Sequence, residues 1–341
     1  MVMRMLELNR CYCADAVAGL KQLEAESVNC CVTSPPYYGL RDYGVAGQIG
    51  LEPSPEGYIS RMVEIFREVW RVLRDDGTLW LNMGDSYAND GKWGGKTGGK
   101  QAYLDDNNRK RVGREKSITG LPPKSLIGIP WMLAFALRAD GWILRQDIIW
   151  AKPNPMPESV RDRCTKAHEY IFLLSKSPHY YFDAEAIREP AGDWHDSLFQ
   201  DGKNLAIHPN VGKQARSGNA ARKYGDERGR PSSHLGASVP WEGNTRNKRD
   251  VWTISTKPFK EAHFATFPPE LIKPCILAGC SEGGTVCDPF MGSGTTLVTA
   301  NELDRNCIGF DLNPDYCDMA NRRRDRAMAQ QSLFRKEIKD S

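Results

Sequence analysis

Thr33-Ser34-Pro35-Pro36-Tyr37 puts two hydroxyls, two prolines and an aromatic ring directly after an apolar run that ends at Val32. The prolines fix φ and remove two N–H donors. The Ser34 hydroxyl and the Ser34 and Pro35 carbonyls then act as acceptors toward one incoming donor, and Tyr37 offers a flat face for stacking. This set suits an amino group conjugated to a heteroaromatic ring, which is a poor nucleophile because its lone pair is delocalised. Acceptors that hold the two amino hydrogens out of plane would localise that pair for attack on a methyl sulfonium. Taken alone, the same residues are also a proline turn ending a strand.

A second cluster lies more than 250 residues further on. Val286-Cys287 reads as a strand ending at Asp288. Pro289-Phe290-Met291-Gly292-Ser293-Gly294 forms a glycine-bearing turn, and a helix opens at Thr295-Thr296. Glycines at a strand-to-helix turn let the backbone approach a ligand closely. The next strand, Cys307 to Phe310, ends at Asp311, where an acidic side chain can accept hydrogen bonds from ribose hydroxyls. A dinucleotide fingerprint needs a third Gly where Leu297 stands, and a P-loop needs Lys where Thr295 stands. What remains is a nucleoside with positive or zwitterionic groups, for which the Asp288 carboxylate is a suitable partner. S-adenosylmethionine fits that description.

The elements that must position these clusters alternate in type. Strands are predicted over 8–13, 28–33, 78–83, 143–150, 170–174, 285–287 and 307–310. Helices are predicted over 14–23, 58–73, 127–137, 268–278, 295–302 and 315–326, with Asp75-Asp76-Gly77 ending the second of them and Gly77 in a C-cap or turn role. Such alternation argues a parallel-rich, doubly wound α/β sheet. Two stretches break it: a Gly/Lys/Asn-rich loop over 84–125, whose basic part at 86–125 is expected to be mobile, and a polar, irregular block over 186–250.

Bulk properties narrow the class. The 341 residues are 40% hydrophobic and 26% charged, with a net charge of +3, as in a soluble globular protein. The N-terminus carries no apolar signal region, and the apolar stretch 126–137 is too short to span a membrane, so a cytoplasmic protein is expected. Ten cysteines without a C-x-x-C spacing argue for reduced, structural thiols, and the six histidines form no metal-ligand pattern. Basic residues concentrate in 91–116, 201–250 and 321–341, which suits a polyanion-facing side.

TSPPY at 33–37, Phe264–Pro268 and DPFMGSG at 288–294, in that order and with the polar block between, resemble the amino-methylating DNA methyltransferases of the permuted beta class. The resemblance covers residues 5 to about 325. It implies a mostly parallel seven-stranded, Rossmann-like methyltransferase sheet, permuted, with an inserted target-recognition region. The catalytic half would occupy 1–185, the recognition region 186–250, the cofactor half 251–327 and a tail 328–341. It implies catalytic roles for Ser34, Pro35, Pro36 and Tyr37. Contacts to S-adenosylmethionine fall to Asp15, Thr33, Thr266, Phe267, Pro268, Asp288, Pro289, Phe290, Gly292, Ser293, Gly294, Thr295 and Asp311. Asp15 follows Ala14 where the family commonly has Gly.

The partner implied is double-stranded DNA, with the target base flipped out of the stack, no metal, and a monomeric or homodimeric enzyme. Arg216, Arg222, Lys223, Arg228, Arg230, Arg246, Lys248 and Arg249 are the DNA-contact candidates, reading guanine edges or holding phosphate. Ser at the head of the S-P-P-Y turn favours cytosine N4 over adenine N6, although both bases present an NH₂ beside a ring nitrogen. An RNA or protein methyltransferase and a non-catalytic DNA-binding module are the further alternatives. His168-Glu169 would cap the sheet edge or sit beside the flipped base, and Trp150–Pro155 is a rigid strand exit that could face DNA.

Overall fold

Val28–Thr33, with five of its six residues buried, is the strand on which the molecule is assembled. In the computed structural model, which describes residues 6–39, 45–88, 119–191, 245–257 and 267–339, this strand is β2. It follows β1 (Arg10–Cys13) and α1 (Ala16–Leu20), and precedes α2 (Pro55–Val72), β3 (Leu73–Met83), α3 (Ile129–Ala139), β4 (Ile143–Ala151) and β5 (His168–Ser175). A short pair, β6 (Glu189–Pro190) and β7 (Thr245–Arg246), comes next, then β8 (Val251–Thr253). The chain ends with α4 (Pro269–Gly279), β9 (Thr285–Asp288), α5 (Thr295–Glu302), β10 (Asn306–Asp311) and α6 (Pro314–Lys339).

Eight strands form one sheet in the order β1-β10-β9-β2-β3-β5-β4-β8. Only β5 runs against the others. The central neighbours are β2 and β9, with Cys30 opposite Val286 and Cys31 opposite Cys287. Two stretches some 255 residues apart are thereby laid side by side. Alternate residues of each strand face opposite layers. Cys31, Leu79 and Leu81 meet α1, α2 and α3 on one face, and Cys30, Val32 and Trp80 meet α4, α5 and α6 on the other. The sheet is doubly wound, with a parallel majority, and has one strand more than the expected seven. The addition is the three-residue edge strand β8, whose Trp252 lies opposite Trp150 of β4; three residues are too few to show a period.

Helix α2 illustrates how the sequence builds these layers. Ser54 caps its first turn by accepting from the Gly57 N–H, and Pro55 occupies the first helical position. Tyr58, Met62, Ile65, Phe66, Val69 and Val72 then line one buried stripe. The helix stops at Val72 because Leu73 is already extended and paired with Val28. The Gly77 cap is therefore corrected: Gly77 lies inside β3, where a Cβ would meet the Arg74 and Asn29 carbonyls at 3.0 Å. At the other end of the chain, α6 runs well past the expected Arg326. No Gly or Pro follows Pro314, and Ala, Gln, Met and Arg are good helix formers.

The chain divides into two compact units, Met1–Ile187 with Arg249–Ser341, and Arg188–Lys248. In the second, β6 and β7 pair antiparallel, and Arg246 Nε donates to Glu189 Oε1 at 2.9 Å. All ten cysteines are free, and only Cys13 and Cys164 are exposed. Among the described residues no helix is long and apolar enough to cross a membrane, and no group of three His, Cys, Asp or Glu side chains could hold a metal.

Candidate active site

The C-terminal ends of β1, β10, β9, β2, β3 and β4 and the N-terminal end of β5 lie along one edge of the sheet, because β5 alone is reversed. Open α/β sheets bind ligands along that edge. Here it opens into a cavity of about 340 Å³. Ser34, Pro35, Pro36 and Tyr37 from the end of β2 line it. So do Asp15 after β1, Phe267 before α4, Pro289, Phe290, Gly292, Ser293 and Thr295 after β9, and Asp311 at the end of β10. Thr266, Arg216, Arg222, Lys223, Arg228, Arg230 and the basic loop 91–116 lie outside the described residues.

The glycine turn is shaped by its φ angles. Gly292 sits at φ 52° and Gly294 at φ 84°, both left-handed, and Gly294 is the N-cap of α5. A Cβ on Gly294 would also meet Ala320 Cβ at 2.6 Å, so only glycine lets α6 pack there. Asp311 draws the turn toward β10: its carboxylate accepts from the Gly292 N–H and the Asn313 N–H, each at 2.8 Å. Burial raises the Asp311 carboxyl above its ordinary range, and those two N–H bonds oppose the rise. Arg323 from α6 donates to Ser293 Oγ at 2.9 Å. Gly294→Ala should therefore weaken S-adenosylmethionine binding about tenfold or more in titration calorimetry, since the left-handed backbone alone costs about 1–2 kcal/mol. Unchanged affinity would mean the turn does not form the cofactor's seat.

Asp288 and Thr33, both expected as cofactor contacts, do not line the cavity. They lie beneath it, 0% and 1% exposed. Thr33 Oγ1 donates to Asp288 Oδ1 and Thr296 Oγ1 to Asp288 Oδ2, each at 2.6 Å, and the Phe290 N–H adds a bond at 3.0 Å. The carboxylate thus ties the end of β2 to the glycine turn. Burial pushes its pKa up to about 6, against the lowering effect of the three hydrogen bonds. Pro268 and Gly294 likewise stand behind the lining, as N-caps of α4 and α5. Asp15 caps α1 through the Val17 and Ala18 N–H groups, and its other oxygen lies 3.6 Å from Arg61.

At the other end of the cavity the turn after β2 is held from two sides. Tyr58 donates to the Pro36 carbonyl at 2.9 Å. The Tyr37 ring lies against Gly84, where a Cβ would approach it to 2.5 Å. Tyr37 Oη bonds Glu169 Oε2 at 2.7 Å and lies 3.4 Å from Ser34 Oγ. Asn82 Nδ2 reaches Glu169 Oε2 at 3.3 Å and the Tyr170 carbonyl at 3.1 Å. Lys152 forms an ion pair with the remaining oxygen of Glu169 and stands 4.1 Å above the Trp150 ring. Burial and the neighbouring Glu169 raise the Tyr37 hydroxyl well above its ordinary value.

Asn82, Trp150, Lys152 and Glu169 all line the cavity. Glu169 is therefore a cavity group, and the edge cap considered for it gives way, because β4 and β8 continue the sheet beyond β5. Asn82 was legible as the one amide in the otherwise apolar run Leu79–Met83. Of the DNA-contact candidates, Arg246 is engaged with Glu189 in the smaller unit. Lys248 is half-buried and Arg249 exposed.

The comparisons with known proteins agree with this geometry. The family described as DNA methylase, of N6 and N4 methyltransferases, matches residues 28–322. The Type II methyltransferase M.SmaI of Serratia marcescens is 46% identical over 312 residues, covering 91% of this chain and 88% of its own. M.Cfr9I of Citrobacter freundii, also a Type II methyltransferase, is 46% identical over 321 residues, covering 92% and 88%. Among solved structures, the cytosine-N4-specific PvuII DNA methyltransferase superposes with a TM-score of 0.56 at 17% identity over 91% of this chain and 84% of its own, a likeness of fold. Placed beside the cavity and its two motifs, these matches show that the chain belongs to the DNA methylase family of S-adenosylmethionine-dependent N6/N4 methyltransferases.

Proposed function

We propose that this protein transfers the methyl group of S-adenosylmethionine to the N4 amino group of a cytosine flipped out of a specific site in double-stranded DNA. The observation that carries the reading is that Ser34–Tyr37 and Phe290–Ser293 line one cavity although they stand more than 250 residues apart. A sulfonium methyl held over the glycine turn and an amino nitrogen held at Ser34 would then face each other.

The turn Gly292–Thr295 and Asp311 would seat the cofactor, with Asp15 and Phe267 at the margins. When bound, the cofactor supplies an electrophilic methyl. The chain's own work is to orient the amino group and exclude water. The Ser34 hydroxyl accepts from one amino hydrogen, and the Tyr37 ring, backed by Gly84, offers the stacking surface. The cytosine assignment rests on Ser at position 34. It is supported by Lys152 on the same wall: cytosine carries an O2 acceptor beside N3, whereas adenine carries a C2–H at the corresponding edge. Flipping costs a few kcal/mol, and Lys248, Arg249 and the basic segments on either side of them are proposed to offset it through phosphate contacts.

Plasmid DNA from a methylation-free host, incubated with the purified protein and S-adenosylmethionine and digested to nucleosides, should yield N4-methylcytosine by mass spectrometry. Methyladenine as the only product would overturn the cytosine assignment. Methyl transfer to RNA or protein but not to duplex DNA would overturn the substrate class.

A further inference from the structure

Methyl transfer to an amino group leaves one proton too many. As the nitrogen lone pair forms the N–C bond, the S–C bond breaks with its electron pair going to sulfur. The nitrogen then bears a positive charge until it sheds a proton. With the cofactor and the base filling the cavity, that proton needs a path.

One is built into the wall. A Tyr hydroxyl carries a single hydrogen, and a carboxylate oxygen only accepts. Tyr37 Oη has two acceptors within reach, Glu169 Oε2 at 2.7 Å and the Asn82 amide oxygen at 3.2 Å; the shorter, charge-assisted bond takes the hydrogen, so Tyr37 donates to Glu169 and accepts from Ser34 Oγ at 3.4 Å. Both bonds run the same way, from Ser34 toward Glu169, and Lys152 pairs with the far oxygen of that carboxylate. We propose that Glu169 is the acceptor of the proton released by the target amino nitrogen, reached through the hydroxyls of Ser34 and Tyr37. The step balances: the N–H proton passes to Ser34 Oγ, Ser34's own proton to Tyr37 Oη, and Tyr37's proton to Glu169 Oε2. Both hydroxyls are restored, and Glu169 gives its proton to water when product leaves. The high pKa of Tyr37 suits a group that passes a proton on and does not become an anion.

This inference rests on the amino-methylation reading above, and its test separates the two. Tyr37→Phe removes one oxygen and keeps the ring, and Glu169→Gln keeps the shape. With the full-length protein, S-adenosylmethionine and plasmid DNA, each variant should lose about a hundredfold in kcat with cofactor affinity within about twofold of wild type. The double variant should be no slower than the slower single one, since one path can be cut only once. Glu169→Ala should regain several-fold in rate as formate, a small carboxylate, is added, a response a purely structural role would not give. Wild-type kcat in Tyr37→Phe, multiplying losses in the double variant, or no response to formate would overturn the relay while leaving amino-methylation standing. A wild-type protein that transfers no methyl to any base amino group would overturn both.

Discussion

Ser34→Ala is expected to lower turnover about a hundredfold or more while S-adenosylmethionine affinity stays within about threefold. The hydroxyl lines the cavity at the end of β2, and the glycine turn that would seat the cofactor is held by other groups: Asp311, Arg323 and the packing of Gly294 on Ala320. Removing Ser34 Oγ therefore deletes an acceptor that matters as charge moves off the amino nitrogen, without loosening the cofactor side. Such a loss appears in kcat and not in ground-state binding. Steady-state kinetics with a parallel calorimetric titration separates the two. Unchanged turnover would contradict the role given to Ser34, and equal losses in both would place the hydroxyl on the cofactor.

Asp288→Ala should be strongly destabilising. It leaves the Thr33 and Thr296 hydroxyls and the Phe290 N–H without their acceptor at a fully buried position. Each stranded donor costs about 1–3 kcal/mol, so urea denaturation should show a loss above about 3 kcal/mol. Asp288→Asn is different. The amide oxygen keeps two of the donors, and the Thr296 hydroxyl can turn to accept from the new NH₂. It also removes an ionisation that burial opposes. The folded protein holds the Asp288 proton to about pH 6 against an ordinary value of 3.8. The contribution of this group is therefore fully present below pH 3.8 and is lost as pH rises through 6. That displacement corresponds to about 3 kcal/mol. Relative to Asp288→Asn, the wild type should lose stability by about that amount between pH 4 and pH 7. Parallel pH profiles for the two proteins would show that the carboxylate does not titrate in this window.

The fold was legible because most elements carry a strong local signal. The stripe of α2 and the buried runs of β2 and β9 each follow from a few adjacent residues, while the Ser54–Pro55 start of α2 lies ahead of the expected residue 58. What local pattern left open was decided by pairing across the sheet. Leu73 becomes strand because Val28 lies beside it, which moves Gly77 from a helix end into β3. Asn9, at φ 64°, shortens β1 to Arg10–Cys13, and β8 exists only as a partner for β4. The motif residues followed the same division. Ser34, Tyr37, the glycine turn and Asp311 are visible because their chemistry is concentrated in short stretches. Asp288 and Thr33 stand in those same stretches, yet their side chains turn to each other beneath the cavity, a pairing over 255 residues that no spacing discloses. Glu169 reaches the cavity because β5 is antiparallel, so its first residues meet the C-terminal ends of its neighbours, and Lys152 reaches it by following the C-terminal end of β4. A sequence displays the residues but not the direction of the strand that carries them.

The central claim is spatial: one cavity brings the cofactor's methyl group to an amino nitrogen held at Ser34. A crystal structure of the protein with a non-reactive S-adenosylmethionine analogue and a duplex bearing its target site tests it most directly. The account predicts the base out of the helix, with its amino nitrogen within hydrogen-bond reach of Ser34 and about 3–3.5 Å from the position of the transferable methyl. A cofactor bound away from Gly292 and Asp311, or a base placed far from Ser34, would contradict it.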